Sequence, residues 1–240
     1  MRIGGRSPVP RLVGPVGFAL TLAVWWWVSQ QQFGPVLRPL IIVGGTLTAF
    51  PVVWVGRRAL DLQPTPERAA WVTTVVHFAL MILFGAAIIE AIGIGELYPG
   101  WAIPLPREIG VAVMVVAAPV LVSTVGNLAL QGLGAPFAIA LTRRLATSSL
   151  YGWTRNPMAL SALVFLTGLG LWQQSTLFVL WVVGLFTPAM LVFLKVYEER
   201  ELEVRFGASY LEYKANTPML WPRKPKDDRS AIDGRRLTRP

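Results

Sequence analysis

Six stretches of this chain, at about 12–28, 39–56, 71–92, 109–133, 158–172 and 176–194, run apolar with hardly a charge inside them. A bilayer core of roughly 30 Å is crossed by about 20 such residues in helical form. Lipid offers no partner to a backbone N–H or C=O, so every stretch must close its hydrogen bonds internally. The expected fold class is therefore all-α: a polytopic integral membrane protein of about six transmembrane helices. With 54% hydrophobic and only 15% charged residues, the composition lies outside the range of a soluble domain.

The first stretch follows a basic start, as a secretory signal would. It is long, ends in three tryptophans and has no small-residue cleavage site, so it reads as a retained first span. The fifth is short for a full span, and the turn "QQST" to the sixth is tight, which predicts a helical hairpin.

Orientation follows from the basic residues. Arg2, Arg6 and Arg11 precede the first span; Arg57, Arg58 and Arg68 lie between the second and third; Arg143, Arg144 and Arg155 lie between the fourth and fifth; the C-terminal tail is basic again. The opposite loops hold only Arg38 and Arg107. Six crossings with both termini cytoplasmic are expected, in the cytoplasmic membrane if the source is bacterial. The net charge of +9 lies in short loops beside apolar runs, so it reports topology and gives no reason to expect nucleic acid. The chain divides into N-terminal membrane helices at 1–133, a C-terminal core at 134–222 and a disordered basic tail at 223–240.

Several chemistries are excluded at once. The chain has no cysteine, hence no disulfide, thiolate nucleophile or cysteine-bound cluster, and its one histidine, His77, cannot build a histidine metal site. No metal is expected. His77, Asn127 and Gln131 are polar residues within spans and are expected to hydrogen-bond to neighbouring helices. Glu90 is expected at the outer interface, needing no partner.

Two stretches carry chemistry. "TRNPMALS" places Arg155 and Asn156 before Pro157 at the start of the fifth apolar segment. Asparagine suits an N-cap and proline the first helical position, and a helix start beside an arginine also suits a carboxylate or phosphate. "KVYEERELEVRFG" places Glu198 and Glu199 at the exit of the sixth segment, where the helix macrodipole disfavours carboxylates if the helix stops there. If it continues, Glu198, Leu202 and Arg205 share a face. The antiparallel hairpin returns both ends to one level, so Arg155, Asn156 and Glu198 are expected to be neighbours. One cation, two carboxylates and the aromatic residues Tyr151, Trp153 and Tyr197 suit a zwitterionic, hydroxyl-bearing ligand such as S-adenosyl-L-methionine, whose sulfonium can face an aromatic ring.

The run "LATSSLYGWTRNPMALS", followed after two apolar segments by "EERELEVRFGASYLEYKANTPMLWP", resembles the isoprenylcysteine carboxyl methyltransferase and phospholipid methyltransferase superfamily. The resemblance rests on Tyr151, Arg155, Asn156, Pro157, Glu198, Glu199, Leu202, Phe206, Gly207, Tyr210, Tyr213, Pro218 and Pro222. It implies an S-adenosyl-L-methionine-dependent integral membrane methyltransferase acting on an amphiphilic, membrane-embedded substrate: an isoprenylcysteine-type carboxylate or a lipid head group. It also implies cofactor binding by Tyr151, Arg155, Asn156, Pro157, Glu198 and Glu199, and catalytic roles for Glu199 and Arg205. The chain departs from the family pattern at Ser149 and Leu150, where Gly-Pro is usual, and at Ala159 and Ser161, where Tyr and Gly are usual. Two other function classes fit the same residues: a non-enzymatic membrane protein that kept the fold, and a nicotinamide-dependent membrane reductase, since membrane sterol reductases resemble the family in their C-terminal helices.

Overall fold

A computed structural model describes residues 12–130 and 145–225. Within them the chain is helical, with no named strand: α1 (Val13–Ser29), α2 (Leu37–Leu62), α3 (Pro66–Ile92), α4 (Arg107–Leu130), α5 (Pro157–Trp172), a long α6 (Thr176–Phe206) and α7 (Ala208–Asn216). Four are long and apolar enough to cross a membrane: α2, α3, α6 and the stretch Arg107–Asn127 of α4. The other two apolar helices, α1 and α5, are shorter, with 17 and 16 residues. Arg2, Arg6, Arg11, Gln131, Arg143, Arg144 and the tail beyond 225 lie outside the described residues.

The helix starts follow local chemistry. Thr65 Oγ1 accepts from the Arg68 N–H at 3.3 Å, and Pro66 takes the first position of α3. Ser175 Oγ accepts from the Phe178 N–H at 3.2 Å to start α6. α6 is not uniform. Val182–Phe186 and Phe193–Glu198 are π turns, and Pro188, which has no N–H for the carbonyl four residues back, follows the first of them.

The core forms where α6 packs on α2 and α3. Val53, Leu60, Ala69, Ala87, Phe178, Val182 and Tyr197 are all sealed there, and Trp181 Nε1 donates to Thr46 Oγ1 at 3.0 Å, which satisfies both groups in an apolar setting. α4 packs closely along α5. A Cβ on Gly110 would run into the Trp172 backbone nitrogen, so only glycine lets these two helices approach so closely. α5 also meets α6: Leu163 and Leu166 share its core, and the two helices join at the turn Gln173–Ser175, where Gln174 takes a positive φ of 57°.

Glu90 differs from expectation. It is buried and paired with Arg38, Oε2 to Nε at 3.1 Å, while Arg38 Nη1 donates to the Gly93 carbonyl at 3.0 Å. A buried carboxylate must be paired, and Arg38 supplies the partner. His77 also differs, because its Nδ1 bonds the Thr73 carbonyl of its own helix at 2.8 Å and not a neighbouring helix. Asn127 is engaged as well.

Candidate functional site

Three segments converge at one end of the bundle: the approach to α5, the last turns of α6, and α7 with the strip that follows it. A 3-10 turn at Ser149–Gly152 begins with Ser149 at φ 56°. The chain then runs beside the strip after α7. The Arg155 N–H donates to the Pro218 carbonyl at 2.9 Å, the Arg223 N–H to the Trp153 carbonyl at 2.9 Å, and Thr154 Oγ1 to the Met219 carbonyl at 3.0 Å. Asn156 departs from the expected cap. Its side chain makes no bond to the α5 N–H groups, and Nδ2 instead donates to the Met219 carbonyl at 2.9 Å. The Nδ2 bond turns the side chain toward the strip, and the first N–H groups of α5 are left without a side-chain cap.

Arg155 stands at the centre. Its side chain is 8% exposed, with Nη2 3.0 Å from Glu199 Oε1 and Nη1 donating to the Tyr210 hydroxyl at 3.1 Å. The Glu199 contact lacks hydrogen-bond alignment, and Arg155 Nε is buried with no acceptor among the described residues. A guanidinium in this state retains a donor direction for a ligand.

Glu199 is surrounded by cations. Besides Arg155, its Oε2 lies 2.7 Å from Lys214 Nζ and 3.4 Å from Lys195 Nζ. Lys214 also binds Glu203 at 2.8 Å. Burial works against the Lys214 charge, but its hydrogen bonds to Glu199 and Glu203 outweigh that and hold the ammonium above its ordinary range. Glu198 is different. It makes no hydrogen bond or ion pair among the described residues, yet lies within electrostatic reach of Glu201, Glu199 and Arg155. The sequence expectation thus holds in part: the structure joins Arg155 to Glu199 directly, with Glu198 beside the pair.

The tyrosines close the site. Burial, followed by the negative charge of Glu198, pushes the Tyr151 phenol up to about 12. Burial also pushes Tyr210 up to about 12 against the opposing charge of Arg155. Tyr213 is raised by burial too, and its hydroxyl donates to the Tyr151 carbonyl at 2.7 Å. All three remain neutral donors at physiological pH. Pro157 is buried at the start of α5. Arg205 is not brought to Arg155. It pairs with Glu201 at 2.5 Å, both nearly sealed, on the side of α6 that faces His77 and α3. Of the four departures from the family pattern, Ala159 packs against the core and the Ser161 hydroxyl donates back to the Pro157 carbonyl at 2.8 Å, whereas Ser149 takes a left-handed φ of 56° where glycine is usual.

Sequence reasoning missed Lys195 and Lys214. Lys195 is four residues from Glu199 on one helix, a spacing that the sequence displays. Lys214 has no such signal, because the break at Gly207, φ 53°, folds α7 back and so sets its position.

The family model described as phospholipid methyltransferase matches residues 106–209, which span α4, α5, α6 and the start of α7. No curated protein and no solved structure matches the chain. The family match is consistent with the integral membrane methyltransferase superfamily. It indicates a methyltransferase at a lipid bilayer, with membrane lipid-type substrates.

Proposed function

We propose that this chain, carrying a segment of the phospholipid methyltransferase type, transfers a methyl group from S-adenosyl-L-methionine to an amphiphilic acceptor held in the membrane. One observation carries the reading: inside the matched segment the buried Arg155 guanidinium keeps an unused Nε donor, 3.0 Å from the Glu199 carboxylate and within electrostatic reach of Glu198, which has no hydrogen bond or ion pair among the described residues. Opposite charges presented together suit a ligand with a carboxylate at one end and an ammonium and ribose hydroxyls at the other.

When bound, S-adenosyl-L-methionine supplies an electrophilic methyl on a sulfonium. Arg155 receives the carboxylate, and Glu198 takes the ammonium or the ribose hydroxyls. Tyr151 and Tyr210 offer aromatic faces and neutral hydroxyls. Asn156 and Thr154 hold the strip at Met219, which closes the site against water, and Pro157 shapes the start of α5. Glu199, bound by three cations, acts by holding Arg155 in place rather than by accepting a proton. Arg205, paired with Glu201 on the side of α6 that faces α3, supports the helix and does not reach the Arg155 centre. Methyl transfer is an in-line displacement, so the chain mainly has to bring the acceptor's nucleophile to about 3–3.5 Å and exclude water. The acceptor is a lipid head group or an isoprenylcysteine-type carboxylate that enters from the bilayer.

Titration of the purified protein with S-adenosyl-L-methionine, with NADPH as control, tests the reading. Saturable binding of the first and none of the second is expected. Binding of NADPH alone would favour a reductase, and binding of neither would favour a non-enzymatic role.

A further inference from the structure

The matched segment leaves out α2, yet the end of α2 grips the part of α6 that presents the two glutamates. Arg57 Nη1 donates to the Val196 carbonyl at 3.0 Å, inside the second π turn. Its Nε is held 2.7 Å from Asp61 Oδ2, and Asp61 Oδ1 lies 2.8 Å from Arg200 Nε. α2 therefore takes hold of α6 two residues before Glu198 and one residue after Glu199. Contact this close depends on Gly56, where a Cβ would come within 2.6 Å of Val76 Cγ2 and 2.9 Å of Tyr197 Cε2.

A π turn disturbs the regular helical ladder, and such turns are seldom kept without an external partner or a functional use. Here Arg57 is that external partner. The ion pairs then continue from Arg200 to Glu203 at 3.6 Å, through Lys214 to Glu199, and on to Arg155. The end of α2 is thereby linked to the centre of the site.

We propose that Arg57, braced by Asp61 and seated by Gly56, is a positioning residue: it fixes the second π turn of α6 and so the direction in which Glu198 and Glu199 leave the helix. The claim rests on the reading of Glu198 and Arg155 as the ligand-binding pair. The plainer role for Arg57 is a basic anchor at the membrane edge, which the adjacent and exposed Arg58 would serve equally.

The experiment compares Arg57→Ala, Arg57→Lys and Arg58→Ala in the full-length protein, by hydrogen exchange over residues 193–206 without ligand and by S-adenosyl-L-methionine affinity. Arg57→Ala is expected to speed exchange across 193–206 and to weaken binding about tenfold, the scale of one charge-assisted hydrogen bond. Arg58→Ala removes the same charge and should change neither. Arg57→Lys keeps the charge but cannot span Val196 and Asp61 together, so it should fall between. If Arg57→Ala and Arg58→Ala behave alike, or if Arg57→Lys matches wild type in both readouts, the proposal is overturned. If Arg57→Ala does not fold, Asp61→Asn reads the same exchange, and normal protection over 193–206 there overturns it equally. Faster exchange in Arg57→Ala with no ligand bound even by wild type would uphold the positioning role and defeat the cofactor reading instead.

Discussion

Glu198 and Glu199 are adjacent in sequence but should fail in opposite ways when neutralised. Glu199 and Arg155 are 3.0 Å apart with side chains 6% and 8% exposed, so Glu199→Gln leaves a buried guanidinium without its counter-ion. Breaking a buried pair from one side costs about 3–5 kcal/mol. The Tyr210 hydroxyl still receives one Arg155 N–H, which places the expected loss near the lower end, about 3 kcal/mol. For a chain of this size that corresponds to roughly 6–12 °C in melting temperature. Glu198 has no ion pair to lose among the described residues, and Glu198→Gln relieves repulsion from Glu201 and Glu199. Its stability should change by no more than about 0.5 kcal/mol, the usual range for a substitution that breaks no specific contact. Ligand affinity should nevertheless drop about tenfold or more. Thermal unfolding in detergent, read by a fluorescent reporter, separates the two. A Glu199→Gln protein that melts with wild type, or a Glu198→Gln protein that falls as far as Glu199→Gln, would refute the assignment of roles.

Other consequences can be checked quickly. Asn156→Ala removes the bond to the Met219 carbonyl and should raise protease cleavage within residues 217–223, at a stability cost of about 1 kcal/mol; unchanged cleavage would show that the strip does not depend on it. Gly110→Val drives a side chain into the Trp172 backbone, so it should abolish folded yield, whereas substitution at the open Gly126 should not. The Tyr151 and Tyr210 phenols are raised to about 12 from an ordinary value near 10, so the stability they contribute is complete below pH 10 and is lost as pH rises toward 12; the double Tyr→Phe variant should lose that alkaline step. Reporter fusions after residues 30 and 100 should read outside, and those after 62 and 147 inside; the reverse would remove the site from the cytoplasm.

Much of the fold was legible because a bilayer tolerates little else: each of the six apolar stretches coincides with a helix. The sixth apolar stretch ends at 194 in the sequence, because Lys195 to Arg205 reads as solvated. In the structure the helix continues to Phe206, because Lys195–Glu199 and Glu201–Arg205 pair four residues apart along it. Arg155 and the two glutamates were also legible as a meeting point, from the hairpin alone. Which glutamate meets Arg155 was not, because the π turn at Phe193–Glu198 shifts the register of side chains and leaves no mark in composition. The Asn156 side chain was misread as a cap for a related reason. Its partner, the Met219 carbonyl, is 63 residues away and arrives only when α7 folds back.

The most direct test of the account is methyl transfer itself. The protein, reconstituted in vesicles that carry amine-headed phospholipid and a prenylcysteine analogue, would be supplied with S-adenosyl-L-methionine labelled in its methyl group, and label would be followed into the extracted lipid. The account predicts label in one of the two acceptors with wild type, and a loss of about tenfold to a hundredfold with Arg155→Ala at sub-saturating donor. Label that appears equally with Arg155→Ala, or a wild-type protein that neither binds the donor nor transfers its methyl to any lipid, would contradict it.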